Sequence, residues 1–275
     1  MSGTWLVAVV QVAGNRGLTG NLEAAAHWLE RAAAQGARLV ALPENFAYHG
    51  ERDLARAAAA EHTPQGPARA FLAERARALK IWLLGGTVPI PPRPGDKPFA
   101  ASLLFSPAGE EVARYDKIHL FDVELPEGGR SYRESRDYRP GDAPAWADLP
   151  GFRLGLSVCY DLRFPELYRK LSREGATVLA VPSAFTLATG RAHWMLLLRA
   201  RAVENLCYVL APNLADRDHP RRPTWGESAI VDPWGEVLAR LDGEEGMALA
   251  ELDFARQEAL RRALPALEHR RLFQC

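Results

Sequence analysis

The sequence predicts an α/β fold in which two β-sheets pack back to back with helices on the outside, a four-layer α-β-β-α sandwich. Three observations predict it. Short β-rich apolar runs alternate with helical patterns along most of the chain. Near the C-terminus the alternation gives way to consecutive strands, so the sheets are mixed rather than purely parallel. There are two sets of apolar strands with helices before and between them, which calls for two strand layers.

The elements follow in order. "TWLVAVVQ" is a first strand. "NLEAAAHWLERAAAQG" is a helix, with Asn21 as its N-cap, Leu22, Ala25, Ala26 and Leu29 at helical spacing, and Gly36 as its stop. "ARLVALPEN" is a buried strand halted by Pro43, with Glu44 directly after it. "GPARAFLAERARALK" is an amphipathic helix leading into the strand "IWLLGGTVPI", and "PIPPRPGDKP" is a surface loop. "AASLLFSPAGEEVARYDKIHL" reads as a hairpin turning at Pro107, Ala108 and Gly109. In the second half, "FRLGLSVC" is a strand, "FPELYRKLSREG" a helix, "ATVLAVPSAF" a strand, and "RAHWMLLLRARAVENLC" a long helix running into "CYVLAP". The strands "GESAIVDP", "GEVLARL" and "MALAELD" are expected to form a three-stranded meander, and a helix and arm close the chain. The long helix carries Trp194, Leu197, Leu198 and Val203 around much of its circumference. One sheet face cannot cover all of them, so burial against a second copy is expected.

At 275 residues, with no Pro/Gly/Ser-rich break, the chain reads as a single domain spanning 1–275. Lys plus Arg equals Asp plus Glu at 34 each, which leaves no excess charge for nucleic acid or an anionic membrane. The expected partners are a small molecule and a second copy of the chain. The N-terminal apolar run is too short to span a bilayer and lacks a basic segment before it, which points to a cytoplasmic protein. Cys159, Cys207 and Cys275 are too widely and irregularly spaced for a disulfide framework or a zinc knuckle. The seven histidines show no ligand spacing either, so no metal is expected. Only four lysines stand against thirty arginines, which makes each lysine worth placing.

Three strand ends carry chemistry. Cys159 follows an apolar strand and precedes a helix opened by Pro165, whose N-terminal partial charge would favour a thiolate. The competing reading, a small buried hydrophobe, suits Cys207 better. Glu44 stands at the lip of its strand behind Pro43. Desolvation there would raise its pKa and make it a base for the thiol, whereas His49, His119 and His193 stand at no strand end. Lys117 closes the hairpin strand. Its ammonium could stabilise an oxyanion together with a backbone N–H, that of Tyr160 being the candidate.

Glu44, Lys117 and Cys159, in that order and with the flanks "LPEN", "YDKIHLFD" and "CYDLRFPEL", resemble the Glu-Lys-Cys triad of the nitrilase, or carbon-nitrogen hydrolase, superfamily. The similarity runs almost end to end. "PSAFTLATGRAHWMLLLRARAVENLCYV", "VDPWGEVLAR" and "RRALPALEHRR" resemble its Nit branch. The resemblance implies the nitrilase-type sandwich, pairing of two copies through helices after the cysteine, and amide hydrolysis through a cysteine thioester without a cofactor. The implied reaction is hydrolysis of deaminated glutathione to 2-oxoglutarate and cysteinylglycine. The alternative is an omega-amidase acting on 2-oxoglutaramate or another small amide, and a non-catalytic scaffold is the reading from a different class. It also implies a second glutamate that orders the site, Glu134, and substrate contacts from Arg163, Phe185 and Thr189. An arginine suits the carboxylate of a 2-oxo acid. The competing reading of Arg163 is an ion pair with Asp161 or Glu166, and that of Phe185 is a core residue. The chain departs from the pattern at Trp225, Gly226 and Glu227, where many relatives carry tyrosine, glycine and histidine, and in the unusually charged loop 214–224.

Overall fold

The computed structural model describes residues 3–51, 53–125, 131–220 and 222–272, so Cys275 lies outside the described residues. The first sheet is built from β1 (Thr4–Gln11), β2 (Leu39–Leu42), β3 (Trp82–Gly85), β4 (Val88–Ile90), β5 (Phe99–Phe105) and β6 (Glu111–Asp116). A small hairpin, β7 (Asp122–Glu124) with β8 (Ser131–Arg133), follows. The second sheet comprises β9 (Ala145–Leu149), β10 (Phe152–Leu156), β11 (Val178–Ala180), β12 (Tyr208–Ala211), β13 (Ala229–Val231) and β14 (Val237–Arg240). The last strand, β15 (Gly246–Asp253), returns to the first sheet. The helices are α1 (Gly17–Ala34), α2 (Leu54–Ala60), α3 (Pro67–Leu79), α4 (Pro165–Arg173), α5 (Leu187–Asn205) and α6 (Phe254–Ala263).

The four layers follow from side-chain alternation. In β1, Trp5, Val7 and Val9 enter the core shared by the two sheets, while Ala8 and Val10 face the core under α1 and α3. Leu39 and Ala41 of β2 likewise face inward, and Val40 and Leu42 face the helices. All four residues of β2 are therefore buried, as expected of a parallel strand covered on both faces. The sheets meet where the Trp5 and Phe152 rings contact edge to face, 4.9 Å between centroids. On the far side Gly155 lets β10 lie close under Leu171 of α4.

Three expectations need correction. The meander is not continuous: β14 pairs with β13, but β15 crosses to the first sheet and pairs antiparallel with β1 over eight residues, Thr4↔Asp253 to Gln11↔Gly246. Asn21 is not an N-cap, because α1 begins at Gly17. Its buried amide instead accepts from Arg16 N–H and donates to the carbonyls of Gly14 and Ala47, tying the helix to the loop after β2. Trp194 and Leu198 are fully buried within this chain, so the outward apolar residues of α5 are Leu196, 68 % exposed, and Val203, 46 % exposed. Among the described residues no helix is long and apolar enough to cross a membrane.

Candidate functional site

The topology brings three strand ends to one edge of the sandwich. β1, β2 and β3 are parallel, and β6 lies two antiparallel steps from β3, so β2 and β6 point the same way. Glu44 lies two residues beyond β2 and Lys117 directly beyond β6. In the second sheet Cys159 follows β10, and Ala184 follows β11, its parallel neighbour. Open α/β sheets gather ligand-binding residues at such carboxyl ends.

Glu44 and Lys117 are completely buried, and Glu134 is nearly so. The Lys117 ammonium donates to Glu44 Oε1 at 2.8 Å and to both carboxylate oxygens of Glu134 at 2.9 Å. Glu134 Oε2 also accepts the Phe121 N–H at 2.6 Å, and Glu44 Oε2 accepts the Ala184 N–H at 3.0 Å. The Glu44 carboxylate also lies close enough for its charge to act on the Cys159 thiol, so ammonium, backbone N–H and sulfur gather around one carboxylate. Burial alone would lower the Lys117 pKa, but Glu134 and Glu44 hold it above the usual lysine range, which keeps the ammonium charged.

Two electrostatic expectations are reversed. Burial pushes Glu44 upward, but Lys117 and Arg222 outweigh it and leave its pKa below the ordinary carboxylate value. Burial and the neighbouring Glu44 carboxylate push the Cys159 thiol well up, so sulfur rests as a neutral thiol beside an ionised base. A 3-10 turn over Cys159–Arg163 separates the thiol from α4, which begins only at Pro165. Cys159 itself sits at φ +48°, a left-handed conformation uncommon for a non-glycine residue, and its N–H donates to Pro182 O.

Asp161 anchors that turn. It is fully buried and accepts hydrogen bonds from Tyr115 Oη and Val158 N–H, both at 2.8 Å, and from His119 N–H at 3.1 Å, with His119 Nδ1 at 2.7 Å. This carboxylate links the cysteine turn to the chain around Lys117. Sequence reasoning saw it only as a partner for Arg163, a role the structure denies it. The Arg163 guanidinium instead lies over the rings of Phe185 and Tyr160, with one nitrogen 3.3 Å from His193 Nδ1.

Cys159, Tyr160, Arg163, Phe185 and Thr189 line one pocket with an empty volume of about 240 Å³. Phe185 is core and pocket wall at once, packed 4.8 Å from the Trp194 ring. Thr189 shares its hydroxyl with Thr186, the N-cap of α5. Arg222, from the charged loop, joins this lining and was not singled out by its sequence position. Trp225 packs against Gly190 of α5 and is not part of the lining, and the Glu227 carbonyl accepts the Trp194 indole N–H. Cys207 is wedged between the Ala176 and Asn205 carbonyls, and burial pushes its thiol up to about 11.

His49, Asp216 and His219 come within ligand distance of one another, a cluster that histidine spacing did not reveal. The Arg222 N–H donates to His219 Nδ1. In a neutral ring the proton then sits on Nε2, which leaves neither nitrogen a free lone pair for a cation.

Residues 6–262 match the model of the carbon-nitrogen hydrolase family. Deaminated glutathione amidase of a Synechocystis species is 43% identical over 275 residues, 97% of this chain and 98% of that protein. Human omega-amidase NIT2 is 38% identical over 252 residues, covering 91% and 89%. Among solved structures, Saccharomyces cerevisiae Nit3, a member of branch 10 of the nitrilase superfamily, superposes with a TM-score of 0.88 at 33% identity, covering 98% and 97%.

Proposed function

The chain belongs to the carbon-nitrogen hydrolase family and is an amidase, and from that premise we propose that it cleaves deaminated glutathione to 2-oxoglutarate and cysteinylglycine. The observation that carries the reading is a buried Glu44 carboxylate that binds the Lys117 ammonium and whose charge reaches the Cys159 thiol. Glu44 takes the thiol proton as sulfur attacks the amide carbonyl. Of the three ammonium protons on Lys117, one goes to Glu44 and one is shared between the two Glu134 oxygens, and the third, with the Tyr160 N–H, meets the developing oxyanion. Glu44 then protonates the departing amine and deprotonates the water that hydrolyses the thioester. Glu134 holds Lys117 in place, and Arg163, Phe185 and Thr189 receive the 2-oxo acid half, whose carboxylate accepts two parallel N–H bonds from the Arg163 guanidinium.

The 38% identity with an omega-amidase favours a second reading, 2-oxoglutaramate as substrate. Comparing kcat/KM for the two amides decides: a clear preference for 2-oxoglutaramate moves the assignment. Cys159→Ala is expected to abolish turnover and Lys117→Ala to lower kcat about a hundredfold or more. Turnover near wild type in Cys159→Ala would discard the mechanism. We assign the enzyme to the cytoplasm, where a nucleophilic thiol stays reduced. We also assign it a homodimer contact through the exposed face of α5, where Leu196 and Val203 share one side with Arg199, and Arg199 binds the carbonyl of Gly235 beside exposed Trp234.

A further inference from the structure

Arg222 is half-buried and lines the pocket of Cys159, yet its Nε is fully buried without a hydrogen-bond partner. Its guanidinium forms no hydrogen bond or salt bridge among the described residues. Burial would lower its pKa, but Glu44 and Glu134 hold it charged. Those two carboxylates lie in its field but are bonded to Lys117, so they do not pair with it. A buried Nε–H without an acceptor is costly, and an anionic ligand offsets that cost.

Arg222 also borders a second, outer pocket with Tyr132, Arg133, Arg136 and Asp137, of about 840 Å³ empty volume. It therefore stands at the doorway between the thiol and the open side of the site. Arg163 makes no salt bridge among the described residues either, so two cations line the inner pocket without a carboxylate between them. Two waiting guanidinium groups match a substrate with a carboxylate on each side of the scissile amide. A primary amide such as 2-oxoglutaramate has only one.

We propose that Arg222 is a specificity residue that binds the carboxylate of the leaving amine, seated in the outer pocket, while Arg163 holds the carboxylate of the acyl half. This rests on the amidase reading above and deepens it, because it selects amides whose departing half is a carboxylate-bearing peptide. The covalent steps are those already assigned. Arg222 supplies charge and orientation and transfers no proton.

The test compares deaminated glutathione with its analogue whose glycine carboxylate is converted to a neutral carboxamide. The wild type is expected to favour the carboxylate form at least tenfold in kcat/KM. Arg222→Met should lower that preference tenfold or more, mainly through KM, with Arg222→Lys retaining part of it. A structural role for Arg222, or one exerted through Glu44, would lower both substrates alike and leave their ratio unchanged, which overturns the inference. Equal wild-type rates on the two forms overturn it too, while leaving the amidase reading intact. No wild-type hydrolysis of either form sinks the substrate reading and this inference with it.

Discussion

Lys117 Nζ lies 2.8 Å from Glu44 Oε1, and both side chains are sealed from solvent, although 73 positions separate them in the chain. The contact stitches the end of β6 to the end of β2 and fixes the carboxylate whose charge acts on the thiol. Glu44→Gln keeps the shape and removes the proton acceptor. It is expected to reduce kcat by roughly 10²–10⁴. A loss under tenfold in steady-state assays would assign the base elsewhere.

Acid should unfold the protein before it silences Glu44. His49 is 5 % exposed, and burial, Arg222 and His219 push its pKa from 6.5 to about 3. The folded state therefore keeps the ring neutral while the unfolded chain binds a proton below pH 6.5. Stability falls as pH drops from 6.5 towards 3, by up to about 1.4 kcal/mol per pH unit from this group. Urea midpoints at pH 7.5 and 5 are expected to converge in His49→Asn relative to wild type. An unchanged pH slope in the variant would remove His49 as the cause. Glu44, with its lowered pKa, remains ionised through this window.

Gly86 follows β3 at φ +54°, and a Cβ there would meet the Pro43 carbonyl oxygen at 1.9 Å, next to Glu44. Gly95 also has positive φ, +88°, but open space around it. Both alanine variants take the backbone penalty of about 1–3 kcal/mol. Only Gly86→Ala should also displace the base and lower kcat by at least tenfold. Equal kcat in the two variants would show that the exit of β2 tolerates the shift.

Leu196→Glu adds a charge to the outward face of α5, opposite the buried Trp194 and Leu198. Light scattering is expected to show the mass falling from dimer to monomer without loss of secondary structure. A variant that stays dimeric moves the contact to another surface.

The catalytic candidates were legible because each ends a strand: apolar periodicity marks where β2, β6 and β10 stop, and a polar residue just beyond marks the edge. Arg222 was not legible. It lies in an aperiodic loop dense with charge, and nothing local separates it from Arg217. The pKa directions of Glu44 and Cys159 depend on Lys117 and on each other, partners 42 or more positions away, so local desolvation alone gave the wrong sign for Glu44. The turn "DGEEG" announces a reversal after β14 but not which sheet receives β15. Asn21 carries the chemistry of a cap, and only the structure shows it serving the loop after β2 instead.

The pairing of β1 with β15 has a kinetic corollary. A growing polypeptide emits β1 long before β15, so until β15 follows, the first sheet carries a row of unpaired amides and carbonyls along one side. Closing so long a loop is slow. Nascent or truncated chains that lack β15 thus expose an adhesive border, and the interval before β15 docks is the one most open to aggregation.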